Sequence, residues 1–61
     1  MAIYRFDYLN AEDQPVGVLD NVDLADDAAA GVMALRLLNE ESNRPGIEIW
    51  QGKRMVARHH R

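Results

Sequence analysis

The spacing of apolar residues changes twice along this chain, and those changes fix which elements it can build. From Ile3 to Leu9 the apolar positions alternate, with Tyr4, Phe6 and Tyr8 separated by Arg5 and Asp7. That is the period of a strand with one buried face. From Leu24 the step lengthens to three and four, through Ala28, Val32, Leu35 and Leu38, the stripe of an amphipathic helix. At Ile47-Glu48-Ile49-Trp50 and again at Arg54-Met55-Val56-Ala57 the short period returns.

Turn chemistry divides the strands. Asn10-Ala11-Glu12-Asp13-Gln14-Pro15 separates Ile3–Leu9 from Val16-Gly17-Val18-Leu19, and these residue types favour a turn. Pro15 opens the second strand, where a missing amide donor does least harm, and Gly17 is the expected place for a bulge. Gln51-Gly52 is the expected turn of a second hairpin. A two-residue loop would set Trp50 against Lys53 and Ile47 against Val56. A four-residue loop would set Trp50 against Met55 and Ile49 against Val56. With the two-residue loop Ile47, Ile49 and Val56 face the helix, and in either register Trp50 lies on the face opposite Ile49. The tail Arg58-His59-His60-Arg61 is expected to be mobile.

Asp23 is the expected helix N-cap, with Asp26 and Asp27 in the first turn where negative charge meets the positive end of the dipole. The seam Leu24, Ala28, Val32, Leu35 and Leu38 should face the sheet, widened by Ala29, Ala30, Met33, Ala34 and Leu37. Leu35 is central to it, so Leu35→Ala should cost about 2–5 kcal/mol. Gly31 costs the helix about 1 kcal/mol relative to alanine, which close approach of another backbone would justify. Arg36 and Glu40 have the spacing of a surface pair. The helix should end near Glu41 to Asn43, before Pro45-Gly46.

The expected fold is therefore α+β: a ββαββ chain forming a four-stranded antiparallel sheet with one helix packed on one face. All 61 residues belong to one small domain. A chain this short buries only about 60% of its unfolded surface, and it has no cysteine to form a staple. Good packing or a partner subunit must supply the stability. One helix covers one sheet face, so the other is solvated or covered by a partner.

The closing segment, Glu48-Ile49-Trp50-Gln51-Gly52-Lys53-Arg54-Met55-Val56-Ala57-Arg58, follows the pattern E-[IV]-W-x-G-x-R-x-V-A-R. With the opening Tyr4-Arg5-Phe6 and the central Ala25-Asp26-Asp27-Ala28-Ala29-Ala30, it resembles a group of small uncharacterised α-proteobacterial proteins across nearly the whole chain. The resemblance implies a bacterial source and carries no mechanism. His59, His60 and Arg61 extend this chain beyond the shared pattern.

Charge is segregated. Residues 1–43 hold nine acids and two bases, a net of −7, while residues 44–61 hold one acid and five bases, a net of +4. Such polarity favours self-complementary contacts or a basic patch that meets an anion. The hydrophobic fraction of 48% is too high for a disordered chain. No apolar run is long enough to span a membrane, and the start of the chain lacks the regions of a signal peptide. The expected location is the cytoplasm.

Catalytic and metal chemistry find little support in the residues. His59 and His60 are adjacent, so on a strand they point to opposite faces. Asp20, Asp23, Asp26 and Asp27 lack the spacing of a calcium loop, and helix capping accounts for the last three. Ser42 is the only serine, with no threonine or cysteine. No enzyme, cofactor or metal site is expected. Two interaction readings remain. In the first, Trp50 and Met55, with Lys53, Arg54 and Arg58 beside them, form a protein-contact surface in a self-associating module. A homodimer would cover Trp50 or bring helix faces together. In the second, the same basic hairpin stacks and binds nucleic acid, against the repulsion of the acidic remainder.

Overall fold

The computed structural model describes residues 2–40 and 44–60. Four strands and one helix follow in the expected order: β1 (Ala2–Leu9), β2 (Pro15–Leu24), α1 (Asp27–Glu40), β3 (Gly46–Gln51) and β4 (Arg54–His60). The sheet is antiparallel throughout, in the order β2-β1-β3-β4. The two strands rich in large apolar residues are therefore central, and the exposed charges of the sheet, Asp20, Asp23, Arg54 and Arg58, lie on its two edges. The expected helix end at Glu41–Asn43, Ser42 and Arg61 lie outside the described residues.

The core forms on one side of the sheet. Tyr4, Phe6, Ile47 and Ile49 are buried there with Ala30, Ala34 and Leu38 of the helix, and Tyr8, Val22, Leu24, Met33, Leu37, Val56 and Ala57 pack around them. The helix meets the sheet through two alanines and a leucine because the sheet already supplies the bulk. Facing layers fill space best when large side chains oppose small ones. This corrects the expected seam. Val32 is 62% and Leu35 56% exposed, Ala28 is exposed, and Leu24 ends β2 rather than starting the helix. Apolar spacing along the stripe favours the larger side chains, whereas aromatic volume on β1 selects the smaller ones. Leu35→Ala consequently loses its expected cost in the monomer.

The helix begins later than expected. Asp26, not Asp23, is the N-cap: its Oδ1 accepts from the Ala29 amide at 2.9 Å and its carbonyl from the Ala30 amide at 3.1 Å. Asp23 is an exposed residue of β2, paired with Ile3. Among the described residues no ion pair joins Arg36 to Glu40. A Cβ on Gly31 would meet nothing within 4 Å, so no described backbone makes the close approach expected at that glycine.

Both hairpins carry bulges. β2 runs well past Leu19, with an extra residue between Val22 and Leu19, where Asn21 has φ 56°. Asparagine is among the residues that best tolerate this left-handed position after glycine. A second irregularity, between Gly17 and Pro15, puts the expected bulge beside Gly17. The first hairpin's loop is closed by Asn10, whose Oδ1 accepts from the amides of Glu12 and Gln14. In the second hairpin the loop is Gly52-Lys53 rather than Gln51-Gly52. Gly52 has φ 62°, at the first loop position, where a type II′ turn calls for glycine. Trp50 pairs with Met55, but a bulge at Val56 then sets Ile49 against Ala57, so neither expected register holds along the whole strand. Arg58, His59 and His60, expected to be mobile, belong to β4, which continues through His60.

Candidate functional site

The face of the sheet away from the helix is built by the alternation that the strands keep on either side of their bulges. Cross-strand partners share a face, so the register aligns Val18, Asp7, Glu48 and Arg58 in one row and Arg5, Trp50 and Met55 in the next. Leu9, Gly46 and His60 form a third row. Leu9 is fully buried there, outside the main core. Asp13 of the first hairpin's loop lies 3.7 Å from His60 at that end.

The middle of this face is a closed polar network. Asp7 and Glu48 stand opposite each other, only 8% and 7% exposed. Like charges placed so are unfavourable, and each carboxylate has its own arginine. Arg5 donates to both oxygens of Asp7, at 3.0 and 3.2 Å. Arg58 donates to Glu48 Oε2 through Nε at 2.9 Å and also through Nη2. Trp50 links the two pairs. Its Nε1 donates to Glu48 Oε1 at 3.3 Å, while the Arg5 guanidinium lies 5.5 Å over its ring. Around this neutral centre lie exposed apolar side chains: Ile3 at 51%, Val18 at 61% and Met55 at 41%.

A second polar cluster fixes the helix start. Tyr4, on the core side, donates its hydroxyl to Asp27 Oδ1 at 2.7 Å, and Arg54 donates to both Asp27 oxygens at 3.1 and 3.2 Å. Arg54 also bonds Gln51. The Arg54 hydrogen bonds, followed by that of Tyr4, hold the Asp27 carboxyl below its ordinary range. The Tyr4 hydroxyl is pushed above its ordinary range, first by its bond to Asp27 and then by burial. This cluster ties β1, α1 and β4 together and leaves Arg54 committed.

The five residues singled out for an interaction surface thus divide. Trp50, Met55 and Arg58 share the outer face. Lys53 sits exposed at the hairpin tip, and Arg54 turns to the helix side. Arg5, Asp7 and Glu48, which complete the outer network, were not among them. Their outward direction follows from the alternation with Tyr4, Phe6 and Ile47. Their proximity depends on β1 lying next to β3, which no local pattern encodes.

Among the described residues no group of three or more His, Cys, Asp or Glu side chains is placed to hold a metal ion. No helix among them is long and apolar enough to cross a membrane. Comparison with family models, curated proteins and solved structures gives no match to this chain. What stands on its own geometry is the class: a small ββαββ domain with one helix on an open antiparallel sheet.

Proposed function

We propose that this chain is a non-enzymatic protein-interaction module that self-associates and offers its outer sheet face to a protein partner. The observation that carries the reading is apolar exposure on both sides of the molecule. Ile3, Val18 and Met55 are exposed on the outer face, and Val32 and Leu35 on the back of the helix. In so small a chain these side chains are the largest reserve of surface whose burial would add stability. The half-buried Trp50 at the centre of the outer face is the kind of rigid anchor on which protein contacts concentrate. The resemblance to small α-proteobacterial proteins fits such a module in a bacterial cytoplasm.

Nucleic-acid binding by the hairpin is the alternative and has less to rest on. Arg5, Arg54 and Arg58 each already hold a carboxylate, so a phosphate would have to displace an ion pair at each. Sedimentation equilibrium tests the first reading: an assembly larger than the monomer is expected, and a strict monomer at high micromolar concentration rejects self-association. A gel shift with mixed RNA and single-stranded DNA at two salt concentrations tests the second, for which no salt-sensitive shift is expected.

A further inference from the structure

A short loop crosses one end of the sheet. It joins β1 to β2, yet Asp13 Oδ1 lies 3.7 Å from Nδ1 of His60 on β4. The strand order puts β3 between β1 and β4, so the contact reaches across two strand spacings, roughly 9–10 Å. Where the loop crosses, the outer face has a small interior of its own. Leu9 is fully buried there, although it stands outside the main core. Its partner on β3 is Gly46, whose partner on β4 is His60. A Cβ on Gly46 would meet Leu9 Cδ1 and His60 Nδ1, both at 3.4 Å, and the His59 carbonyl oxygen at 3.2 Å. The leucine and the imidazole thus close over the glycine, where even a methyl group would crowd them. Asp13 beside that imidazole places the loop tip over the same spot.

The loop holds its own shape. The Asn10 amide donates to the Gln14 carbonyl at 2.9 Å, and the Asp13 amide to the Asn10 carbonyl at 3.0 Å. Asn10 Oδ1 accepts the Glu12 and Gln14 amides. These bonds hold Asp13 at φ 61°, a conformation that aspartate adopts more readily than most residues. Among the described residues Asp13–His60 is the one ion pair between this segment and the rest of the chain. The segment re-enters the sheet through the irregularity between Pro15 and Gly17, where the ladder is already interrupted. A preformed loop with one outside ion pair and a break at its root is built to swing as a unit.

We propose that the segment Asn10–Gln14 is a strap over Leu9, drawn down when His60 takes up a proton and released when it loses it. Protonation makes donors of both ring nitrogens and gives the ring a charge opposite to that of the Asp13 carboxylate. The other charges near that end are engaged elsewhere. Glu48 on β3 is bonded to Arg58 on β4, and Asp7 on β1 to Arg5. Arg44, ahead of β3, lies over the Tyr8 ring, which packs on the helix side. Asp13 and His60 are both about half exposed, so the pair has the modest strength of a solvent-accessible one. That suffices to bias a local opening without governing the whole fold. Closed, the strap keeps Leu9 in the interior. Open, it adds a large apolar side chain to the outer face, one row beyond Asp7 and Val18. The device operates in a single copy and stands apart from self-association.

The test is an NMR pH titration of the full chain between about pH 5 and pH 8, across which a free imidazole changes charge and a free carboxylate stays ionised. The Glu12, Asp13 and Gln14 amides and the Leu9 methyls should move with the ring protons of His60. His59 pairs with Ile47 on the helix side and is the internal control, so His59→Gln should leave the response intact. In His60→Gln and in Asp13→Asn the loop resonances should stay still over the same range. Limited proteolysis reads the open population. At the acidic end the protease Glu-C should cut after Glu12 roughly two- to fivefold faster in His60→Gln than in wild type, in keeping with one exposed ion pair. At the alkaline end the two rates should agree. Loop resonances that still titrate in His60→Gln overturn the proposal. So does a rate ratio that is the same at both ends, which would mean that the imidazole holds the loop by packing and not by charge.

Discussion

Ala34 is a small residue where a large one does most harm. It is fully buried, with Ala30 and Leu38, against Tyr4, Phe6, Ile47 and Ile49. Enlarging it must push the helix off the sheet or force strained rotamers. Ala34→Leu is expected to cost about 1–3 kcal/mol, and Ile49→Ala, which opens a cavity, about 2–5 kcal/mol, both read from urea unfolding. Leu35→Ala should change the monomer by no more than about 0.5 kcal/mol; a larger loss that varies with protein concentration would report the dimer. The Tyr4–Asp27–Arg54 cluster makes a pH prediction. Asp27 has a folded pKa below its unfolded value, so its contribution is complete above about pH 4 and is lost as pH falls through the lower folded value. Tyr4 has a folded pKa above its unfolded value, so its contribution is complete below about pH 10 and is lost as pH rises through the higher one. The melting temperature of Asp27→Asn should therefore lie below wild type by a constant amount near neutrality. The gap should narrow at both extremes; a gap that persists unchanged at pH 2 would show that the carboxylate's charge is not what holds the cluster.

At the scale of the element, the helix start and the helix middle each admit a sharp comparison. Asp26 accepts the Ala29 amide, so Asp26→Ala should cost about 1 kcal/mol. Asp23→Ala, on an exposed strand position, should stay within about 0.5 kcal/mol. Gly31 has open space where an alanine methyl would stand, and Gly31→Ala should raise stability by roughly 0.5–1 kcal/mol in thermal or urea unfolding. The same contrasts mark how far the sequence is legible. Period identifies β1, α1, β3 and β4, because alternation and three-four spacing are geometric consequences of strand and helix, and the turn residues before Val16 place β2. The cap is ambiguous because Asp23 and Asp26 both precede an apolar run, and only the length of β2 decides between them. The hairpin register is ambiguous because a bulge at Val56 costs one residue and leaves no mark in an apolar-polar pattern. The buried helix face does not follow from spacing, because burial depends on what the sheet leaves room for, and Phe6 and Tyr4 leave room for alanine.

At the scale of the whole molecule, the segregated charge of the sequence becomes a set of closing contacts. Arg54 reaches back to Asp27 and His60 lies near Asp13, so two basic positions of the C-terminal hairpin meet acids from the acidic part of the chain, while Arg58 closes on Glu48 within the hairpin. The outer network follows from strand order and register together, since β1 lies beside β3 and their register sets Asp7 against Glu48. Two effects compete at Glu48. Its opposition to Asp7 costs about 0.2–1 kcal/mol, whereas hydrogen bonds to a charged group contribute about 1.5–3 kcal/mol. Arg58 has a side chain 42% exposed, and solvent screening reduces its share. The bonds still win, and Glu48→Ala is expected to destabilise by about 1–2 kcal/mol. It should also shift Trp50 emission, because the indole N–H loses its acceptor. Arg58→Ala leaves Glu48 facing Asp7 without its counter-charge, so it should cost at least as much. Because both substitutions break the same contact, the double variant should cost less than the two singles combined. Additive losses in that cycle would mean that Arg58 and Glu48 act independently, and the outer face would then be an ordinary solvated surface instead of a preset platform around Trp50.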